Sequence, residues 1–239
     1  VDSASGTLPL DCACVIVGDA YSWQYVDTLH SMLTRHLTRP VTMHVYTEEH
    51  RSVPDHMVKH VLTPWRVNKP WWYKMQLFDP VHHAGPMLYF DLDVVIVDSI
   101  DWIWQLPLDR FWAVRDFKYL WRPTWPGLNT SVMWWDTGLT QSLWADFVDS
   151  DPARIAARYP GDQDYVTACV PGSQQARLDH NRVVSWRWQA LDGGYDPAAR
   201  QHCQPGTGAQ INPGVSVLVC HGQPKPHLIS DPVIVQHWK

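Results

Sequence analysis

The first readable pattern is an unbroken apolar run, Cys12-Ala-Cys-Val-Ile-Val17, stopped by Gly18-Asp19. A short run without polar alternation predicts a strand covered on both faces. Val26, Leu29, Leu33 and Leu37 then recur three and four apart, the stripe of an amphipathic helix that Pro40 closes. Val41 to Tyr46 alternates as a strand does, and a short strand is expected near His60-Val-Leu62. A loop rich in Pro and Trp follows as far as Pro70. Trp72 to Phe78 reads as helix, Pro86 to Phe90 as a buried strand, and Val94 to Val97 as another apolar run. This β-α-β-β-α-β order predicts an α/β fold whose sheet is mostly parallel and flanked by helices. In such sheets ligands gather beyond the carboxyl ends of the strands. Gly18-Asp19 and Asp91-Leu92-Asp93 both stand at such ends.

The second half alternates in the same way. Phe111 to Val114, Ser131 to Trp135 and Val215 to Val219 predict strands, and Leu139, Leu143 and Phe147 mark a helix. Asp151-Pro152 opens another, with a capping acid and proline in the first turn. The Gly/Pro/Gln-rich stretch from Gly193 to Gly214 is expected to be a surface loop. Neither an internal repeat nor a linker interrupts the pattern, so residues 1–239 are expected to form one domain.

Composition changes this picture in four places. The net charge of −5 gives no global sign of nucleic acid, although local basic patches can act against it. The five cysteines (12, 14, 169, 203, 220) lack metal-type spacing and are expected to be reduced thiols of a cytoplasmic protein. No apolar stretch is long enough to span a bilayer, so no membrane insertion is expected. The fifteen tryptophans are the anomaly. Many should fill the core, but those beside Arg or Pro in loop-like segments suit stacking on sugars or bases.

The chemistry lies in Asp91-Leu92-Asp93. Residues i and i+2 of an extended chain point to one side, so the two carboxylates can converge. Converging acids repel unless a cation lies between them. A hard divalent ion, Mn2+ or Mg2+, completed by substrate phosphates, fits oxygen ligands of this kind. Acids at strand ends also cap turns, and the motif alone leaves both readings open.

With the segments that follow, the chain resembles the glycogenin and lipopolysaccharide-galactosyltransferase family of nucleotide-sugar glycosyltransferases, from about residue 12 to residue 228. That resemblance implies a GT-A fold with a nucleotide-binding half, 1–98, and a donor-sugar and acceptor half, 99–239. It implies that Val17, Asp19 and Tyr21 hold the nucleoside of a UDP-sugar, with Tyr21 stacking on the base. Lys74, on the helix before the metal strand, would contact the donor, as would Leu92. His221, in Val-Cys-His221-Gly222-Gln-Pro-Lys225-Pro, would join Asp91 and Asp93 as third metal ligand, Gly222 would let the backbone approach the diphosphate, and Lys225 would neutralise it. This loop is two residues shorter between His and Gly than is common in the family. Asn129 and Asp162 would bind the donor sugar, and Gln163 would lie by the anomeric carbon. Ser131 stands where the family usually has glycine.

On this reading the metal and Lys225 stabilise the leaving UDP, and Asp162 and Gln163 complete the catalytic set. The family retains anomeric configuration. Gln163 is too poor a nucleophile for an easy covalent route, so front-face attack is expected. The acceptor segments, Arg110 to Trp125 and Arg182 to Trp188, interleave basic and aromatic residues. Trp121, Arg122, Trp125, Trp186 and Trp188 are the acceptor candidates. A glycan, a small molecule, or a hydroxymethylated base in DNA would each suit them, and a partly buried strand and loop would produce the same pattern. Two further classes stay open: a metal-dependent nucleotide-sugar phosphohydrolase and a non-catalytic carbohydrate-binding module.

Overall fold

The computed structural model describes residues 8–191 and 209–239, together with the backbone of 195–196 and 201–202. Strands β1 (Leu10–Ile16), β2 (Val41–Thr47), β3 (Val58–Val61) and β4 (Pro86–Phe90) lie parallel in the order β3-β2-β1-β4. The next strand, β5 (Val94–Ile96), leaves this sheet. Strands β6 (Phe111–Arg115), β7 (Leu128–Asp136) and β8 (Gln175–Arg177) extend it as β4-β7-β6-β8, giving seven strands drawn from both sides of residue 98. β7 runs antiparallel to both of its neighbours, and β8 is parallel to β6. β9 (Val183–Ser185) belongs to a second sheet with β5. In the stretch expected to be a loop, two-residue strands β10 (Tyr195–Asp196) and β11 (Gln201–His202) pair antiparallel, and much of the remainder lies outside the described residues. β12 (Val217–Val219) sits between β5 and β9.

The helices are α1 (Gln24–His36), α2 (Asp101–Trp104), α3 (Gln141–Asp149), α4 (Pro152–Arg158), α5 (Asp162–Cys169) and α6 (Pro232–His237). Alternation along β1 sends Cys12, Cys14 and Ile16 into the core under α1, and Ala13 and Val15 to the opposite face. That second face carries Trp72, Trp135, Phe111 and Phe147 in a core rich in aromatic rings. The segment read as helix from Trp72 is a 3-10 helix, Pro70–Phe78. Trp72, Met75 and Phe78 are fully buried in it and stand three apart, the spacing at which 3-10 side chains eclipse. Proline at its first turn sacrifices no hydrogen bond. Among the described residues, no helix is long and apolar enough to cross a membrane. Cys12, Cys14, Cys169 and Cys220 are free thiols, and Cys203 lies outside the described residues.

Candidate functional site

β4 ends at Phe90, and the Asp91 amide donates to the Ser131 carbonyl of β7 at 2.8 Å, which fixes where the chain turns. Leu92 points into the core, so Asp91 and Asp93 share a side. Both line one cavity of about 570 Å³. The Cys220 amide donates to the Asp93 carbonyl at 3.1 Å, so β12 delivers the following His221-to-Lys225 segment to the same place. Residues more than a hundred positions apart therefore face each other across the cavity.

Two lysines neutralise the two acids. Lys74 projects from the 3-10 helix, with Nζ 3.0 Å from Asp91 Oδ1, 3.2 Å from Asp162 Oδ2 and 3.1 Å from Thr130 Oγ1. Burial works against its charge, but Asp162 and Asp91 hold the ammonium well above its ordinary value. Lys225 Nζ donates to Asp93 Oδ2, and the Tyr21 hydroxyl donates to the same oxygen at 3.1 Å. Burial, and then the charge of Asp91, push the Asp93 carboxyl up, while Lys225 and Tyr21 oppose them. The Tyr89 hydroxyl donates to Asp91 Oδ1 at 2.6 Å.

The opposite wall comes from β7 and the start of α5. Asn129 Nδ2 donates to Gln163 Oε1 at 3.2 Å, and Asn129 Oδ1 accepts from the Ser131 amide at 3.0 Å. Thr130 Oγ1 donates to Asp162 Oδ2 at 2.6 Å. Gly161 caps α5, and Asp162 in its first turn complements the helix dipole. Asn129, Asp162 and Gln163 thus present amide and carboxylate groups across from Asp91 and Asp93, a set that suits sugar hydroxyls.

His221 lies at the cavity margin between rings. It stacks on Phe117 at 5.4 Å, meets Trp188 edge-on at 4.3 Å, and its Nε2 is 2.8 Å from Ser185 Oγ. Burial, aided by the charges of Arg187 and Lys225, pushes its pKa down to about 4, so the ring is neutral at pH 7, the form that binds metals. Gly222 has φ +78, and a Cβ there would stand 3.3 Å from Arg187 Nη1. Glycine is what this turn accommodates.

Most expected site residues converge, with differences of detail. Val17, Tyr21, Lys74, Asp91, Leu92, Asp93, Asn129, Asp162, Gln163, His221, Gly222 and Lys225 all line the cavity. Asp19 does not, and it is exposed. Tyr21 presents its hydroxyl to Asp93 and its ring to Tyr25, 4.8 Å away, with Lys225 Nζ 5.4 Å above it. Asp91, Asp93 and His221 do not bring three ligand atoms within 4.8 Å of one another. Lys225 holds Asp93, and Ser185 holds the His221 Nε2, so gathering all three on one ion requires those contacts to open. Two carboxylates and a neutral imidazole facing one cavity nevertheless suit a hard divalent cation that keeps positions for phosphate oxygens.

The aromatic acceptor candidates separate. Trp186 is a core residue, 6% exposed, with its indole N–H buried and unpartnered, which takes it out of reach of an acceptor. Trp125 donates to Asp116 Oδ2 at 2.9 Å and lines a second hollow of about 400 Å³ rather than the donor cavity. The exposed Arg122 places its guanidinium 5.8 Å from the Trp125 ring centroid. Trp188 and Trp121 meet edge-on at 4.8 Å, and Trp188 touches His221, so these two lead outward from the cavity. Sequence reasoning missed Tyr89, Thr130 and Ser185. Tyr89 was within reach of it, since Tyr89 and Asp91 are two apart on one strand. Ser185 and Thr130 gave no signal, because their partners are distant in sequence.

No protein-family model matches the sequence, and no curated protein matches it. Solved structures do. The glycosyltransferase GlyE of Streptococcus pneumoniae TIGR4 superposes with a TM-score of 0.65 at 16% identity, over 94% of this chain and 57% of that one. An active-site mutant of LgtC gives 0.61 at 14% identity, over 91% and 89% of the two chains. Mouse xyloside xylosyltransferase 1 gives 0.57 at 13% identity, over 90% and 98%. The chain thus spans little more than half the length of GlyE. At such identities the likeness speaks for the fold, and the fold is GT-A: a mixed, mostly parallel seven-stranded sheet flanked by helices.

Proposed function

We propose that this protein is a metal-dependent glycosyltransferase that moves a sugar from a UDP-sugar to an acceptor hydroxyl with retention of configuration. One observation carries the reading: Asp91, Asp93, Lys225 and His221 line one cavity together with Asn129, Asp162 and Gln163, and Lys225 pairs with Asp93 there. A cavity of about 570 Å³ is of the size that encloses a small ligand. LgtC, one of the structural neighbours, has been seen with donor and acceptor sugar analogues, which supports a nucleotide-sugar donor and a glycan acceptor here.

Asp91, Asp93 and His221 would hold Mn2+ or Mg2+. Bound there, the ion would act as a Lewis acid on the diphosphate. The remaining work belongs to the chain. Lys225, released from Asp93, places a compact charge where the leaving group gains negative charge. The turn at Gly222 lets the backbone approach the diphosphate. Lys74 fixes Asp91 and Asp162, so the diphosphate side and the sugar side keep their separation. Asn129 and Asp162 orient the donor sugar. Gln163, already held by Asn129, lies beside the anomeric carbon, where its amide carbonyl can face developing positive charge. A carboxamide is a poor nucleophile, which favours attack from the face the leaving group vacates. The acceptor enters on the Trp188 side of His221, where Trp188 and Trp121 pack edge-on beside the cavity. We read residues 1–239 as one catalytic domain acting in the cytoplasm, in keeping with the free thiols of the described cysteines.

The test is UDP release from a panel of nucleotide sugars with Mn2+, with and without acceptor glycans, followed by NMR of the product anomer. The account predicts acceptor-stimulated release that chelation abolishes, and a retained product. Water-driven cleavage that ignores acceptors, with UMP and sugar 1-phosphate as products, would make the protein a phosphohydrolase. Metal-independent glycan binding without release would make it a binding module.

A further inference from the structure

A second cluster of metal-binding side chains lies at the other end of the sheet. Asp11 is near the start of β1, four residues before Val15 on the donor cavity, or roughly 13 Å along an extended strand. Its neighbours are His44 on β2 and His83, in the segment that leads into β4. One ligand atom from each of Asp11, His44 and His83 lies within 4.8 Å of the other two. We propose that these three residues form a binding site for a zinc-type cation, separate from the donor cavity, that ties β1, β2 and the approach to β4 together.

The two imidazoles meet different oxygens of the one carboxylate, at separations near those of zinc ligands. His44 Nε2 is 3.1 Å from Asp11 Oδ1, and His83 Nε2 is 3.8 Å from Asp11 Oδ2. Ligands bound to zinc at about 2.0–2.2 Å stand roughly 3.4 Å apart in a tetrahedron. The chemistry selects the ion as well. Two imidazoles and one carboxylate favour borderline Zn2+ over Mg2+, which prefers oxygen ligands.

The site also has a supporting shell. His44 Nδ1 is 2.8 Å from His60 Nε2, and both rings are buried. With the Nε2 lone pair turned to the cation, His44 Nδ1 carries the hydrogen and donates it to His60. Tautomer and ring plane are thereby fixed, as second partners do at zinc sites. His60 is itself stacked on Tyr46 at 4.3 Å. His83 Nε2 also lies 3.3 Å from the Pro86 carbonyl, a long contact that the cation would replace. Asp11 is partly exposed and gives the ion its way in.

Metal binding is read here without turnover, so the result does not depend on the transferase reading. Chelator-stripped protein is titrated with Zn2+ by calorimetry, and the zinc-loaded protein is examined by X-ray absorption. With one equivalent of Zn2+ bound we expect a tight site whose spectrum shows two imidazoles, whereas the donor cavity could supply one. Asp93→Asn should keep this affinity. His60→Ala should weaken it about 10–100-fold, with partial recovery in His60→Gln, and His83→Ala should weaken it further still. Circular dichroism checks that each variant is folded, and the wild-type spectrum decides the matter if a variant is not. No zinc uptake by the wild type, a single-imidazole spectrum, or loss of binding in Asp93→Asn would overturn the proposal.

Discussion

Lys74→Met tests whether the buried ammonium holds the two sides of the cavity together. Lys74 Nζ touches Asp91 at 3.0 Å, Asp162 at 3.2 Å and Thr130 at 3.1 Å, in a site where the lysine and Asp162 side chains are 11% and 8% exposed. Methionine nearly conserves the volume, so the cavity penalty is small and the electrostatic loss dominates. Removing one partner from a buried ion pair leaves an uncompensated charge and costs about 3–5 kcal/mol. For a chain of 239 residues that is a fall in Tm of roughly 6–20 °C. Calorimetry or thermal denaturation followed by circular dichroism measures it. The second arm is the double variant Lys74→Met with Asp162→Asn. Neutralising Asp162 removes much of the stranded charge, so the pair should lose less than the sum of the single losses. A Tm within about 2 °C of wild type for Lys74→Met, or strict additivity in the cycle, would refute the reasoning.

Three other outcomes are open to measurement. Asp93→Asn should lower UDP release about 100–1000-fold while leaving the far-ultraviolet circular dichroism unchanged, and near-normal turnover would contradict its role. Trp121→Ala removes the indole that packs edge-on against Trp188; acceptor KM should rise roughly fivefold, equivalent to about 1 kcal/mol, with donor KM unchanged. Asp101 gives a pH dependence. Burial works against its ionisation, yet hydrogen bonds from the Trp104 indole and from the Thr38 amide and hydroxyl hold its carboxyl below the usual value. A depressed carboxyl stabilises the fold above its unfolded pKa, and that contribution is lost as pH falls through the folded one. Asp101→Asn should therefore flatten the acid side of the stability curve below about pH 4, and an unchanged acid limb in urea titrations would count against it.

The legible parts of the fold were those with strong local patterns. β4 and, from Cys12 onward, β1 are written as unbroken apolar runs, and α1 carries a regular stripe. Asp91 and Asp93 were expected to share a side as alternate residues of a strand, and they do line one cavity, but from the turn between β4 and β5 that Leu92 anchors in the core. β8 and β9 are three residues each, and their signal is lost among the surrounding polar positions. The apolar run at Val94 hides a change of sheet, because burial looks the same in either one. His221 and Lys225 could be named from their motif, but not the partners that hold them here. Ser185 seats the imidazole and Asp93 pairs with the ammonium, across separations of 36 and 132 residues. Trp186 shows the converse, a basic-aromatic pattern that turned out to be core packing.

The central claim is that Asp91, Asp93 and His221 gather on one divalent ion that holds a nucleotide diphosphate. Anomalous diffraction from crystals grown with manganese and UDP measures this directly. The account predicts a manganese peak bonded to those three side chains and to the diphosphate, with Lys225 moved from Asp93 onto a phosphate oxygen. UDP bound elsewhere, or Lys225 still paired with Asp93 and no manganese beside it, would contradict it.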